Sequence, residues 1–119
     1  MPTPEQMLAV ARWVTDPRYD GWEIGTPPYH ADHGVWAYAG GGEWRQFNPL
    51  ADTTEGKAQL MDVWLKLVTT CSLKTYWTSL NVWVGDTVSL PTINKDGSRR
   101  DAAAILEAAS YAIEEGLVK

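Results

Sequence analysis

The feature that most constrains the fold is the order in which helical and strand-like patterns alternate along the chain. Apolar residues recur at helical spacing after Thr3, after residues 52–54 and after Ser98. In between, residues 17–51 place short aromatic runs among Gly and Pro, and residues 73–84 switch to a period of two. Strands with two partly apolar faces need cover on both sides. The sequence therefore predicts an α+β fold, a small, mainly antiparallel β-sheet packed between α-helices (an α-β-α sandwich) in the order α-ββ(β)-α-ββ(β)-α.

Capping signals predict the ends of the first and last helices. Thr3 and Gln6 form a capping-box pattern at the start of the first helix, and Pro17 ends that helix. Ser98 is the predicted N-cap of the last helix, which is rich in Ala, and Gly116 suits the position just after its end.

The second helix is predicted to be amphipathic, with Thr53 among its candidate N-caps and Glu55 in its first turn. Its apolar residues are interpreted as one stripe that faces the core: Leu60, Met61, Trp64, Leu65, Leu67 and Val68. Lys57, Asp62 and Lys66 lie away from the centre of that stripe. The expectation is a helix of about four turns with one buried face.

Residues 73–84 alternate as one strand does, or as two strands if the chain breaks between 79 and 81. Trp83 stands between two valines and is predicted to be largely buried. Trp64 is also assigned to the core, because it lies in the apolar stripe of the second helix. These two rings therefore need no functional explanation.

Composition places the chain among folded globular proteins. Its 119 residues are the length of one domain, so residues 1–119 are interpreted as a single globular unit. Hydrophobic residues make up 45% and charged residues 21%, which excludes a disordered chain. The formal net charge is −5, and the only adjacent basic pair, Arg99-Arg100, stands between Asp96 and Asp101. Such a chain is a poor candidate for binding nucleic acid and is suited to docking on a basic partner surface.

Signals for export or membrane insertion are lacking in the sequence. The N-terminus has neither the basic nor the apolar region of a signal peptide. The longest apolar-rich stretch, residues 60–68, is interrupted by Asp62 and Lys66 and is too short to span a membrane. The single cysteine, Cys71, excludes an intrachain disulfide. The expectation is a cytoplasmic protein that does not bind membranes.

Four places in the sequence resemble one protein family. They are the Gly21-Trp22-Glu23 step, the Phe47-Asn48-Pro49-Leu50 stretch, the strand containing Trp83 and the Ala-rich helix from Arg100 to Ala112. Together they resemble small bacteriophage and prophage accessory proteins with a helix–sheet–helix (phage ABA sandwich) domain, over most of the chain except residues 26–34. The resemblance implies an accessory role in an infected or lysogenic bacterial host. Such proteins often act by binding and blocking a host factor, including components of antiviral defence.

Residues 29–33 hold the only cluster of metal-ligating residue types in the sequence. His30, Asp32 and His33 could supply three ligands. In an extended segment, residues three apart point to opposite faces, and the prolines at 27 and 28 exclude a metal-binding helix there. A polar loop is the preferred interpretation, and no metal or cofactor is predicted.

Neither Cys71 nor the triple glycine at residues 40–42 forms a catalytic motif. Cys71 has no basic sequence neighbour that would activate its thiol. The glycines precede Glu43 and a strand, not a helix N-terminus that carries Lys and Ser or Thr, so they are interpreted as a hairpin turn. The chain is therefore predicted not to be an enzyme.

The chain has seven Trp and five Tyr but a single Phe, an excess that suits either an aromatic core or a binding surface. The candidate binding residues are those of the glycine-rich half: Trp22, Tyr29, Trp36, Tyr38, Trp44 and Arg45. Trp, Tyr and Arg are enriched among the residues that dominate binding energy at interfaces. The alternative, that these rings fill a small core, stays open.

Three functional hypotheses follow. The first is a non-enzymatic phage or prophage accessory protein that binds and inhibits a host protein, with self-association as a further possibility. The second is a small-molecule binder that stacks a planar, nucleotide-like ligand in an aromatic pocket, with Arg45, Arg99 or Arg100 meeting its phosphates. The third is a metal-dependent enzyme built on the histidines at 30 and 33 and the aspartate at 32.

Overall fold

The computed structural model describes residues 3–14, 23–24, 35–40 and 43–118. Within these residues, helices and strands follow one another as α1 (Pro4–Val14), β1 (Glu23–Ile24), β2 (Val35–Gly40), β3 (Glu43–Phe47), α2 (Thr54–Thr70), β4 (Thr75–Trp77), β5 (Asn81–Val84), β6 (Val88–Pro91) and α3 (Asp101–Glu114). The predicted α+β class and element order are confirmed. Among the helices of these ranges, none combines the length and the apolar character that crossing a bilayer requires.

The described strands form two antiparallel sheets, a division that the sequence pattern did not predict. The first sheet has the order β1-β2-β3 and the second the order β4-β5-β6. In each sheet, neighbouring strands are consecutive in sequence and pair antiparallel. Every pairing is therefore local, as is expected when short strands are separated by turn residues.

Helix α3 is the central element of the core. It packs against α1, α2, β5 and β6, and its alanines let these elements approach closely. The buried residues that α3 contributes are Ala103, Ala104, Ile105, Leu106, Ala108, Ala109, Ser110 and Ala112. The rest of the buried core comes from Met7, Val10 and Ala11 of α1, Phe47 of β3, Val63 and Leu67 of α2, and Val82 and Val84 of β5. One hydrophobic core thus joins the helices to the second sheet.

Of the capping signals for the first and last helices, two are confirmed and one is wrong, and the predicted end of the first helix at Pro17 lies outside the described residues. Thr3 Oγ1 accepts from the Gln6 N–H at 3.2 Å, and Gln6 Oε1 accepts from the Thr3 N–H at 2.9 Å. Gly116, with φ +69°, ends α3 as predicted. Ser98, however, donates its N–H to Asp96 Oδ1 at 2.9 Å within the preceding turn, and Arg100 takes the N-cap position. Ser98 does not cap α3 because its hydroxyl is used within this local turn, where it donates to Asp96 Oδ1 at 2.6 Å and accepts from Asn94 Nδ2 at 2.9 Å.

Residues 73–84 form two strands, because the chain turns at residues 78–80. Thr78 Oγ1 accepts from the N–H of Leu80 at 3.3 Å and from the N–H of Asn81 at 3.0 Å. The Thr78 hydroxyl thus accepts the hydrogen bonds that these two N–H groups would otherwise donate to a neighbouring strand, as Thr commonly does in turns. The break that the sequence pattern left open is therefore present.

The register of the second sheet places Trp83 away from the core. Trp83 pairs with Tyr76, whereas Val82 pairs with Trp77, and directly opposed residues share a face of the sheet. Val82 is fully buried, so Trp83 lies on the opposite face and is half-buried there. The prediction for Trp83 is confirmed only in part: its burial is intermediate, and it is not among the side chains that pack against the core. Trp64 does pack against the core, although it is itself only partly buried.

Candidate functional site

Helix α2 carries apolar residues on two opposite sides. On the inner side, Val63 and Leu67 are completely buried. On the outer side, Met61, Leu65 and Val68 are 42%, 56% and 45% exposed. These three residues, spaced by four and three positions, form one row along the helix, which we call the outer row. The expectation that they belong to a core-facing stripe is wrong.

The start of α2 is held in one orientation by a close backbone contact. Thr53 caps the helix, and its Oγ1 accepts from the Gly56 N–H at 3.0 Å. Gly56 is buried, and a Cβ at this position would lie 2.5 Å from the carbonyl oxygen of Ala51 and 3.0 Å from that of Asn48. Only glycine allows the first turn to approach the preceding chain so closely. The side of α2 that carries Gly56 must therefore face inward.

Two polar contacts further along α2 reinforce this orientation. Gln59 Nε2 donates to the Gln46 carbonyl, and Gln59 Oε1 accepts from the Asn48 N–H, both at 2.8 Å. The Lys66 ammonium donates to the Trp13 carbonyl and lies 5.2 Å from the centre of the Trp13 ring. Gln59 ties α2 to the end of β3, and Lys66 ties it to the end of α1. Both contacts leave the outer row on the exposed side.

Exposed apolar side chains are concentrated in one stretch of the chain. Among the side chains that the structure describes, the exposed large hydrophobic residues all come from residues 61–80: Met61, Leu65, Val68, Leu73, Tyr76, Trp77 and Leu80. Trp64, three residues after Met61 and four before Val68, borders the outer row. Its ring meets that of Trp77 edge to face, with centroids 5.6 Å apart. The outer row is thus continuous with the apolar side of β4.

A hydrogen-bonded cluster fastens β4 to the start of α3. Asp101 Oδ2 accepts from Trp77 Nε1 at 2.8 Å, and the Arg99 guanidinium donates to both oxygens of Asp101 at 2.9 Å. Arg99 also donates to the Ser79 carbonyl at 2.8 Å. Partial burial alone would raise the pKa of Asp101, but the hydrogen bonds from Arg99 and Trp77 and the positive charge of Arg99 hold it below its ordinary value. The cluster keeps Trp77 in place against Trp64.

An open cavity of about 600 Å³ lies at the start of α3. It is lined by Arg99 and Arg100, two of the three arginines predicted to meet the phosphates of a nucleotide-like ligand. Its lining consists of Leu50, Asp52, Asn94, Arg99, Arg100, Asp101, Ala102 and Ala103. Arg99 is bound by Asp101, and Arg100 is bound by Glu107 and by the Pro91 carbonyl. A phosphate would have to displace these carboxylates from the arginines. The cavity therefore gives little support to an anionic, nucleotide-like ligand.

A second, shallow cavity of about 390 Å³ lies on the outer face of the second sheet. It is lined by Tyr76, Thr78, Trp83, Gly85 and Asp86. The Lys74 ammonium lies 5.4 Å from the centre of the Tyr76 ring, so this ring already has a cation as neighbour. Tyr76 and Trp83 offer aromatic surface here, but most of the cavity is open to solvent and would enclose little of a ligand.

The predicted aromatic face is only partly within the described residues. Trp22 and Tyr29 lie outside them. Trp36 and Tyr38 belong to β2, and Trp44 and Arg45 belong to β3. The register pairs Tyr38 with Trp44, Trp36 with Gln46 and Ala37 with Arg45. Strand pairing therefore brings the backbones of these four residues together, and a binding role for them stays a prediction.

The predicted metal candidates His30, Asp32 and His33 also lie outside the described residues. Within the described ranges, no group of three or more His, Cys, Asp or Glu side chains could hold a metal ion. Cys71 follows α2 as its C-cap residue, is a free thiol, and packs against the core. Its position is explained by packing.

The outer row is the feature that sequence reasoning missed. A signal for it was present, because the apolar residues of α2 are spread around most of the helix instead of along one stripe. Comparison of the chain with protein-family models, with curated proteins and with solved structures finds no match. Function is therefore inferred from the residues of this chain.

Proposed function

We propose that this chain is a non-enzymatic protein that acts by binding another protein through the outer row of α2. The observation that carries the proposal is that Met61, Leu65 and Val68 are about half exposed on a helix whose opposite side is buried. Large apolar side chains that are exposed in a row on one helix face mark an interaction surface more often than a solvent-facing side. The surface that would cover this row is assigned to a partner.

Burial of the outer row against a partner would contribute to the free energy of binding. Fully burying a Val, Leu or Met side chain contributes about 1.5–3 kcal/mol relative to leaving it exposed, so three half-exposed side chains retain a large part of this for a partner. Trp64 and Trp77 extend the same surface with aromatic area, which is typical of the centre of interfaces. Contiguous apolar surface of this kind marks interaction sites in folded proteins.

The kind of partner is proposed from the sequence. The resemblance to phage and prophage accessory proteins supports a host protein as the target, with components of antiviral defence as the expected class and inhibition as the expected effect. The acidic net charge of −5 supports a partner with a basic surface.

Capture from a bacterial lysate tests this proposal with two variants of equal charge. Leu65→Glu places a carboxylate in the outer row, and Thr87→Glu places one at an exposed position in the β5–β6 turn. We expect the wild type and Thr87→Glu to retain the same partner and Leu65→Glu to bind it at least about tenfold more weakly. Equal retention by all three proteins would contradict the proposal.

A further inference from the structure

The outer row has an acidic edge. Glu55 and Asp62 are exposed and seven residues apart, which is two helical turns or about 10.5 Å along the axis. Glu55 stands three residues before the exposed Ala58. Asp62 stands three residues before Leu65, and residues three apart are neighbours on a helix surface. The two carboxylates therefore border the apolar surface along the same edge, which we call the acidic edge.

The lysines of α2 do not neutralise the acidic edge. The Lys66 ammonium is turned toward α1, where it donates to the Trp13 carbonyl and lies over the Trp13 ring. Lys57 forms an ion pair with Asp52 at 3.2 Å. Within the described residues, neither carboxylate of the acidic edge forms an ion pair. A partner that approaches the outer row therefore meets an uncompensated negative charge on one side.

We propose that the outer row and its acidic edge bind an amphipathic helix of the partner, with Lys or Arg residues two turns apart along the edge of its apolar face. This inference rests on the proposed protein-binding function and specifies the partner surface. A helix laid along α2 would place its apolar side chains against Met61, Leu65 and Val68, as helices pack by ridges and grooves. Its basic residues would then meet Glu55 and Asp62.

A second copy of the chain fits this surface poorly. It would present the same acidic edge, and the Lys66 side chain that could offset it is held by α1. Like charges brought together at an interface disfavour the wrong partner. The charge pattern therefore favours a basic partner helix over self-association.

Two synthetic peptides test the inference by calorimetric titration. One is an 18-residue amphipathic helix of Leu and Lys, and the other is the same peptide with Glu in place of every Lys. We expect the wild-type chain to bind the Leu/Lys helix about fivefold to tenfold more tightly than the Leu/Glu helix, with a preference that shrinks as salt rises. Leu65→Glu is expected to weaken binding of the Leu/Lys helix.

Charge reversal at the acidic edge supplies the decisive comparison. Glu55→Lys combined with Asp62→Lys is expected to reverse the preference, and Asp62→Lys alone to reduce it. Glu114→Lys combined with Glu115→Lys changes the net charge equally at the exposed end of α3 and is expected to keep the preference. If both double variants lower the preference equally, only overall charge is acting and the inference is overturned.

The remaining outcomes separate this inference from the proposed function. If the two peptides bind equally and Leu65→Glu weakens both, the outer row binds helices without charge selection, so the inference fails while the proposed function stands. If Leu65→Glu leaves Leu/Lys binding unchanged, the peptide binds elsewhere and the inference fails. If sedimentation shows that the wild type is a dimer and Leu65→Glu a monomer, the occupant is a second copy and the inference is wrong.

Discussion

Helices α2 and α3 are both apolar around most of their circumference, yet they are buried to very different extents. Helix α3 is enclosed by α1, α2, β5 and β6, and most of its residues are buried. Helix α2 buries Gly56, Val63 and Leu67 and leaves the outer row exposed. The apolar residues of α3 are therefore mostly in the core, whereas those of α2 are divided between the core and an exposed surface.

The comparison teaches that the side of α2 facing the core is selected by contacts other than apolar burial. Either side of the helix could have been buried on grounds of hydrophobicity alone. Three contacts are compatible with only one orientation of α2. They are the close approach of Gly56 to the Ala51 carbonyl, the hydrogen bonds of Gln59 at the end of β3, and the hydrogen bond of Lys66 at the end of α1. An exposed apolar row is then a consequence of specific polar and steric contacts.

The largest expected effect comes from matched truncations on the two sides of α2. Leu67→Ala removes a fully buried side chain and is expected to lower the free energy of unfolding by about 2–5 kcal/mol. Leu65→Ala removes the same atoms from the outer row and is expected to change it by less than about 0.5 kcal/mol. Urea unfolding of both variants measures the difference, and similar losses would show that the outer row is part of the core.

Gly56→Ala tests the contact that orients α2. Glycine in a helix usually costs about 1 kcal/mol relative to alanine, so this substitution would normally stabilise the protein. Here the new Cβ would lie 2.5 Å from a backbone oxygen, and we expect a loss of about 1–3 kcal/mol instead. A thermal unfolding scan gives the sign, and an increase in Tm would contradict the close approach.

The start of α2 depends on a side-chain cap. Thr53→Ala removes the hydroxyl that accepts from the Gly56 N–H, and it is expected to lower the free energy of unfolding by about 1 kcal/mol. Thr53→Ser retains an oxygen at this position and is the control, expected to lose much less. Equal losses in the two variants would assign the effect to the methyl group instead of the cap.

The smallest expected effect is the pH dependence that Asp101 contributes at the start of α3. Hydrogen bonds from Arg99 and Trp77 lower the pKa of Asp101 in the folded chain. At a pH between the folded and the unfolded pKa, the unfolded chain therefore binds more protons at this residue than the folded chain does. The contribution of Asp101 to stability is therefore present above its unfolded pKa of about 3.9 and is lost as the pH falls through the folded pKa. Asp101→Asn is expected to flatten the stability profile in this acid window.

Trp77→Phe gives the matched comparison for that profile. It removes one hydrogen bond to the Asp101 carboxylate and keeps the carboxylate and the Arg99 pair. We expect a partial flattening of the unfolding free energy between pH 5 and pH 2, roughly the range over which such a carboxylate acts. An unchanged profile in both variants would show that Asp101 contributes nothing to stability.

Local chemistry made much of the fold predictable. The Thr3–Gln6 capping box and the Gly116 helix end are contacts between near neighbours, so the sequence indicates them directly. Two local uses were available to Ser98, and the turn between Asn94 and Ser98 took precedence over the cap. The period-two pattern showed which residues alternate but not which face is buried, so Trp83 was assigned to a core against which it does not pack.

The candidate site was less predictable, because it depends on contacts between distant parts of the chain. Helical spacing groups Met61, Leu65 and Val68 together but does not state whether the group faces inward. The side that faces the core is set by the hydrogen bonds of Gln59 to the chain after β3 and of Lys66 to the end of α1. Helical periodicity does not predict such contacts between distant residues. The aromatic excess that directed attention to Trp36, Tyr38 and Trp44 is a property of composition and carries no spatial information.

The measurement that tests the account most directly is the affinity of the captured partner for Leu65→Glu, with urea unfolding recorded on the same preparation. We expect binding at least about tenfold weaker than that of the wild type and of Thr87→Glu, with a free energy of unfolding within about 0.5 kcal/mol of the wild type. Wild-type affinity in Leu65→Glu, or a loss of stability typical of a core substitution, would contradict the assignment of the outer row as a binding surface.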